Sequence, residues 1–453
     1  MQAFSDIIAT IDGWLWGFPL IIVLLGTHIF MTVRTGFIQK YVFKGIKLSV
    51  TPDPDSDGEV SQFGALATAL AATIGTGNII GVSTAFIAGG PGAILWMWFT
   101  GVFGMASKYA ETVMSVKYRV QTKDGRMLGG AMMALERGLK QKWLAVTFAV
   151  LATFASFGIG CMTQANAIST GLSQNFGVPT WISGIFIAVL VGVVIIGGVK
   201  SITRVTEKLV PFMALFYVVG CLVILIMNIK FLGSAFALII TDAFTAKAVG
   251  GGLLGTVIRY GCARGLFSNE SGMGSAPLVA AAAKTRNPIR QSLVSMTGTF
   301  WDTVVICLIT GLTLTTGVLA HPELSSMTDK SVLTFTVFEQ IPVIGKPLIA
   351  IAIALFAYST LLGWSYYGEK AAEYLVGPSV IRVYKIAFII FAFIGSVSAL
   401  ELVWNIADIL NGLMVIPNVI GMIGLSGVIV AEGKRYLNDI DAYSPDEIPI
   451  LDK

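Results

Sequence analysis

Charge is scarce in this chain: only 12% of its 453 residues are Asp, Glu, Lys or Arg, while 55% are hydrophobic. A soluble domain is about one quarter charged, because its surface faces water. So little charge cannot coat a globule of this size. The apolar residues come in runs of roughly 18 or more, enough to cross a ~30 Å hydrocarbon layer. The bilayer is the expected solvent. Histidine is nearly missing, with His28 and His321 isolated from each other. There is also no H-E-x-x-H and no G-x-S-x-G, which leaves poor acid–base machinery for an enzyme. No G-x-x-x-x-G-K-[ST] occurs, which argues against an ATP-driven pump. The four cysteines, Cys161, Cys221, Cys262 and Cys307, lie in apolar stretches and read as small packing residues. The net charge of +4 is spread along the connections and points to no nucleic-acid partner. Before the first apolar run there is no basic segment, and after it no small-residue cleavage site. A cleaved signal peptide is therefore not expected.

What is abundant is apolar sequence in long blocks, with 50 glycines, as expected where helices pack closely inside lipid. Apolar runs read against charged breaks predict an all-α polytopic protein with about eleven spans. The first covers Trp14 to Val33. Next come Phe63 to Ile87, Ala93 to Val116, Trp143 to Leu172, Trp181 to Gly198 and Val210 to Asn228. The second half gives Leu253 to Ala282, Leu293 to Leu319, Pro347 to Tyr367, Val383 to Ser398 and Val403 to Val430. Phe37 to Val50 reads as a short basic amphipathic stretch, Thr51 to Glu59 as an acidic loop. Pro322 to Ile341 is a loop long enough to hold its own short helix.

Basic residues crowd alternate connections: Arg34, Lys40, Lys44 and Lys47; then Lys117, Arg119, Lys123, Arg126, Arg137, Lys140 and Lys142. Lys200, Arg204 and Lys208 follow, then Lys284, Arg286 and Arg290. The intervening connections hold only Lys230, Lys247, Lys330 and Lys346. By the positive-inside rule the N-terminus lies outside and the C-terminal tail in the cytoplasm of a multi-pass plasma-membrane protein.

Two stretches break the helical code at membrane depth. GTGNIIG, Gly75 to Gly81, interrupts one span; ARGLFSNESGMGSAP, Ala263 to Pro277, interrupts another. Each interior glycine costs a helix up to ~1 kcal/mol against Ala, and hydrocarbon cannot solvate the amide of Asn78. Irregular backbone is tolerated at this depth only where it is buried in protein or lines a cavity. Each break opens a set of five spans, and by the orientation above the two run in opposite directions. That is the plan of an inverted repeat, with a ligand held at the midplane. The expected parts are residues 1–60, an N-terminal helix and amphipathic segment; 61–230 and 231–431, the two repeats; and 432–453, a tail. Half-helix N-termini offer N–H groups to a carboxylate, and C-termini offer carbonyls to a cation. Close helix packing alone would explain Gly75 and Gly77 less well, since the breaks fall at matching places. A channel is the weaker alternative, because a pore is often built by symmetric subunits, whereas this chain carries its own pair.

At GTGNIIG, at RYGCARGLFSNESGMGSAP from Arg259 to Pro277, and at FAYSTLLGWSYYGEKAAEYL from Phe356 to Leu375, the sequence resembles the alanine/glycine:cation symporter family. That family belongs to the larger group with the leucine-transporter fold. The resemblance covers essentially the whole chain. It implies sodium-coupled import of small neutral amino acids, glycine and either enantiomer of alanine, by alternating access. No cofactor is implied besides Na⁺ as coupling ion, and no obligatory protein partner. The amides of Gly75, Thr76 and Gly77, in the break that Asn78 shares, would take the substrate carboxylate. Carbonyls near Leu266 to Ser268 would take its ammonium, and Phe267 and Trp364 would wall the side-chain pocket. Gln164 is either a further substrate partner or an interhelical hydrogen bond. For sodium, the resemblance implies the carbonyls of Ala71, Ile74 and Phe356 with the hydroxyls of Ser359 and Thr360. Those two hydroxyls could instead bond back to their own helix. Coupling to protons through Glu270, or carriage of another small solute, is the alternative within transport.

Charges in or near spans need a reason. Glu270 reads first as an ion-pair or capping residue that shapes the loop, and second as a direct binder. Arg259 and Arg264 are candidate gate elements that would pair with Glu270, Asp302 or Asp408. Glu369 and Lys370 would reach the interface by snorkelling, and His28 would be a packing residue. Trp364 fills volume that a larger substrate needs. Trp364→Ala should therefore let leucine and methionine compete in an uptake assay, and unchanged competition would refute that role.

Overall fold

In a computed structural model the protein is described over residues 2–53, 55–244, 255–327, 332–398 and 401–451. Lys247, Lys330 and the start of the seventh expected span at Leu253 lie outside the described residues, as does part of the Pro322 to Ile341 loop. The chain is helical almost throughout. α1 (Gln2–Leu15) and α2 (Phe18–Arg34) come first, parted by a turn at Trp16 and Gly17 with Pro19 just inside the second, and together they make one candidate span, Ser5–Arg34, in place of the single expected N-terminal helix. After α3 (Val42–Ser49) come α4 (Gln62–Thr73) and α5 (Ile80–Gly89), then α6 (Ala93–Lys117). Next are α7 (Lys142–Phe176), α8 (Thr180–Ile196), α9 (Gly198–Met227) and α10 (Leu232–Asp242). The rest are α11 (Thr256–Asn269), α12 (Pro277–Ala280), α13 (Pro288–Ala320), α14 (Val332–Phe338), α15 (Gly345–Val376), α16 (Val380–Val397), α17 (Glu401–Gly424) and α18 (Ser426–Tyr436).

Each expected span falls on helix. Seven of the described helices are long and apolar enough to cross a membrane, and eight if the bent pair α4 and α5 is one span. The other expected crossings depart from that standard for visible reasons: α8 is only 17 residues long, α11 and α12 are halves, and α6 carries Lys108 and Glu111. Several helices outrun their apolar cores. α9 starts at Gly198, so Lys200, Arg204 and Lys208 sit in helix rather than in a connection. Lys and Arg are good helix formers whose stems can lie along apolar surface while the charge reaches water. α15 likewise continues to Val376, and Glu369, Lys370 and Glu373 are buried in it. Snorkelling is therefore not their fate. Lys370 pairs with Glu373 at 3.0 Å, and Glu369 with Lys385 at 3.4 Å.

The helices with small and polar faces are inside, and those with apolar ridges are outside. α6 packs on α11 and α13, α7 on α15, and α8 on α16. Ile182, Ile185, Phe186, Val189 and Val193 project outward along α8, and Phe212, Leu215, Val219 and Ile226 along α9. An apolar belt of this kind is expected of a surface that faces lipid. Cys161, Cys221, Cys262 and Cys307 are buried and unpaired.

On the side carrying α3, the segment after α18 runs across the connections that follow α6 and α12. Arg286 and Arg290 converge on buried Asp53, at 2.5 and 3.4 Å, and Arg290 also meets Asp441 at 2.5 Å. Asn287 caps α13 by accepting from the Arg290 amide, and its own amide donates to the carbonyls of Ile440 and Ala442. Removing one member of a buried ion pair leaves the other charge uncompensated, which costs ~3 kcal/mol or more. Asp53→Ala should lower the thermal midpoint of the detergent-solubilised protein accordingly. Glu339→Ala, which breaks the exposed pair with Lys346, should barely move it.

Candidate functional site

The first break is short and sharply bent. α4 ends at Thr73, Ile74 and Gly75 are non-helical, a single 3₁₀ turn covers Thr76–Asn78, and α5 leaves at 60° to α4. Gly75 is favoured by contact: a Cβ there would sit 2.6 Å from the Thr360 hydroxyl. Asn78 stitches the turn. Its Oδ1 accepts from the Gly75 amide at 2.9 Å, and its Nδ2 donates to Asp302 Oδ1 at 2.7 Å. The Asn78 and Ile79 amides return to the carbonyls of Gly75 and Thr76. The amides of Thr76 and Gly77 have no acceptor among the described residues.

The second break begins later than the sequence implies. Ala263 to Asn269 remain helical in α11, and the irregular stretch is Glu270 to Ala276. Glu270 turns the chain with φ +53°, and Gly272 and Gly274, at +83° and +81°, continue in the left-handed region that favours glycine. This loop is held from α6 and α17. Lys108 Nζ donates to the Glu270 carbonyl at 3.2 Å and pairs with Glu111 at 3.2 Å. Glu111 Oε2 accepts from the amides of Gly272 and Gly274, at 3.2 and 3.1 Å, and from Asn418 at 3.0 Å. Both charged residues are nearly fully buried, at 2% and 1% exposed.

The breaks meet through Asp302. Besides Asn78, its carboxylate accepts from Ser268 Oγ at 3.1 Å and Thr303 Oγ1 at 2.6 Å. A Cβ at Gly77 would lie 3.5 Å from Ser268. Between the breaks, α7 and α15 lies a small cavity, lined by Ala72, Thr73, Gly75, Thr76, Gly77, Ile159, Gln164, Phe267, Ser268, Glu270, Thr360, Trp364 and Asn411. Of the expected substrate residues, Asn78 and Leu266 lie outside it. Asn78 is spent on the turn, and the Leu266 carbonyl accepts from the Glu270 amide at 3.2 Å. Gln164 lines the cavity and also bonds within the protein, donating to the Ile159 carbonyl at 3.1 Å where α7 carries a π-turn, Gly158–Met162. Asn411 was not expected. Its Oδ1 is buried with no hydrogen-bond partner.

Beside the cavity, oxygens crowd around Ser359. Its Oγ lies 3.1, 3.4 and 2.8 Å from the carbonyls of Ala71, Ile74 and Phe356, and Thr360 Oγ1 lies 3.0 Å from the last of these. Two hydroxyl protons face three carbonyls, so acceptors outnumber donors. Separations of roughly 3–3.5 Å are those of oxygens sharing one hard cation at ~2.4 Å.

The charged residues on α11 point elsewhere. Arg259 donates to the Gly13 carbonyl at 3.0 Å, and Arg264 stacks 5.9 Å over the Phe267 ring. Among the described residues neither pairs with Glu270 or Asp302. Pairing with those two fails because both carboxylates already hold neutral donors; of the three expected partners, Asp408 is the one on which the charge of Arg264 acts, together with Asp12 of α1. His28 is buried against Ser107, 2.7 Å away.

The family model described as sodium:alanine symporter family matches residues 1–448. The chain belongs to that family. A sodium/alanine symporter, AgcS of Methanococcus maripaludis, is 51% identical over 441 residues, covering 96% of this chain and 97% of the relative. The amino-acid carrier protein AlsT of Bacillus subtilis is 35% identical over 440 residues, covering 96% and 92%. These are carriers, not enzymes. Among solved structures, a crystal structure of MhsT in complex with L-phenylalanine matches at TM-score 0.54 and 15% identity, over 84% of this chain and 99% of that one. A Na⁺-coupled sialic acid symporter in a substrate-bound outward-open state matches at 0.57 and 14%, over 94% and 99%. At such identities the likeness carries the fold, that of the leucine-transporter group, embedded in a membrane.

Asn78 is the joint on which this symporter-family site hangs. Asn78→Ala leaves the Gly75 amide buried without its acceptor, worth ~1–3 kcal/mol, and leaves Asp302 Oδ1 only the longer bond from Ser268 at 3.4 Å. Faster amide exchange at Gly75 to Asn78 and a lower thermal midpoint are expected. Unchanged exchange would show that the turn holds without its side-chain stitch.

Proposed function

We propose that the chain is a sodium-coupled secondary symporter that imports alanine and glycine by alternating access. The observation that carries this is the pair of neighbouring sites: five oxygens suited to a hard cation, and a small cavity with free amides at one end. The substrate carboxylate would meet the amides of Thr76 and Gly77, with Gly75 giving the close approach. The ammonium would meet the carbonyl end of α11 at Phe267 and Ser268. Leu266 and Asn78 support the site from outside the cavity. Gln164 faces the substrate, with Phe267 and Trp364 as walls. Na⁺ would take the carbonyls of Ala71, Ile74 and Phe356 with Ser359 and Thr360, consistent with the sodium/alanine name of the relative from Methanococcus maripaludis. Arg259 and Arg264 would act near the outer opening, where α1 docks.

The division into repeats, 61–230 and 231–431, is part of the same proposal, with 1–60 and 432–453 as additions. It is supported by helices at equivalent places packing on each other: α6 on α13, α7 on α15, α8 on α16. The orientation follows the basic connections, with the N-terminus outside and the C-terminal tail in the cytoplasm of the cell that bears it in its plasma membrane.

Purified protein in vesicles should accumulate labelled alanine when a sodium gradient is imposed and should not when potassium replaces sodium. Uptake that follows a proton gradient at fixed sodium would favour the proton-coupled alternative. Ser359→Ala removes one ligand and should raise the sodium concentration for half-maximal uptake by about tenfold, roughly the 1.4 kcal/mol of one oxygen contact. An unshifted sodium curve would reject the proposed cation position.

A further inference from the structure

Glu270 is the cavity-lining group whose role the transport reading leaves open. Both of its carboxylate oxygens are committed to neutral donors: Oε1 accepts from Trp364 Nε1 at 3.0 Å, and Oε2 from Ser275 Oγ at 2.5 Å. Its backbone is fixed as firmly. The amide donates to the Leu266 carbonyl at 3.2 Å, and the carbonyl accepts from Lys108 at 3.2 Å and the Met273 amide at 3.3 Å. The residue is 5% exposed and turns the chain in the left-handed region.

The indole at the other end of this bond is clamped on its remaining sides. A Cβ at Gly160, in the π-turn of α7, would lie 2.3 Å from Trp364 Cβ and 2.5 Å from Cγ, so α7 backs directly onto the side chain. Tyr367 meets the ring edge-on at 5.6 Å between centroids. Trp364 itself is 1% exposed, and its one polar atom, Nε1, reaches Glu270. A buried indole N–H without an acceptor is costly, so the acceptor decides where the ring rests.

We propose that Glu270 is a positioning residue that sets the size limit of the cavity. It holds the Trp364 indole across the space a substrate side chain would enter, and it neither binds the substrate ammonium nor carries a coupled proton. The wall on α15 is thereby tied to the second break, so the pocket keeps its width only while that break keeps its shape. The inference rests on the reading of the cavity as a small amino-acid site.

The test is calorimetric binding of alanine, leucine and methionine in sodium to wild type, Glu270→Ala, Glu270→Gln and Trp364→Phe. Glu270→Ala and Trp364→Phe remove opposite ends of the bond, and each should reduce the preference for alanine over leucine by about tenfold or more. Glu270→Gln keeps an oxygen for the indole and should retain the wild-type preference, whatever its absolute affinity, with an unshifted pH profile. Preferences unchanged in Glu270→Ala and Trp364→Phe, or lost equally in Glu270→Gln, overturn the proposal, as does a moved pH profile in Glu270→Gln. A wild type that binds no alanine in sodium overturns the proposed function itself.

Discussion

Backbone groups released by an unwound helix find no water in the middle of a bilayer, so each must be met by protein or by a ligand. The whole interior of this protein is organised around that constraint, and it is met differently at the two breaks. At the second, side chains from neighbouring helices meet the turn itself: Lys108 the carbonyl of Glu270, Glu111 the amides of Gly272 and Gly274, Asn418 the Gly272 carbonyl. The side chains of Lys108 and Glu111 stand where a cation and an anion would otherwise be wanted. At the first break Asn78 meets one amide, while those of Thr76 and Gly77 and the carbonyls of Ala71 and Ile74 face the cavity and Ser359. At the first break these polar backbone groups thus converge on the cavity and the oxygen cluster beside it. A zwitterion and a monovalent cation are the ligands that complement them.

Much of this was legible because a break in lipid must be spelled out locally. GTGNIIG announces itself by glycine density and an amide in an apolar run, and S-N-E-S-G-M-G by polarity. The start of the second break was not legible, since Ala263 to Asn269 are competent helix formers and only Glu270 changes the backbone. Long-range partners were also hidden. Asn418 lies 307 residues from Glu111, and Asp302 lies 224 from Asn78. No local pattern links such pairs. Yet Lys108 and Glu111 carried a readable signal: two charges three residues apart in an apolar span, open to the same argument as Glu270. Asn411 is an amide in an apolar span just as Gln164 is. The arginines misled for the opposite reason, because Arg259 and Arg264 lie near Glu270 in sequence but on other faces of α11.

Helix α15 explains why cation and substrate sites would act as one. Ser359 and Thr360, which face the oxygen cluster, stand about one turn before Trp364, which walls the cavity, and Gly363 between them lies against Ala72 of α4. A Cβ at Gly363 would approach the Ala72 amide to 2.8 Å, so α4 and α15 touch backbone to backbone there. Sliding one past the other separates the Ala71 and Ile74 carbonyls from the Ser359 hydroxyl and, in the same motion, shifts the indole relative to the amides of Thr76 and Gly77. On the proposed function, a cation bridging that seam would hold the cavity in one shape, and its departure would free both walls together. Coupling then needs no long relay: the two ligands share one helix–helix contact, and each binds only while it is closed.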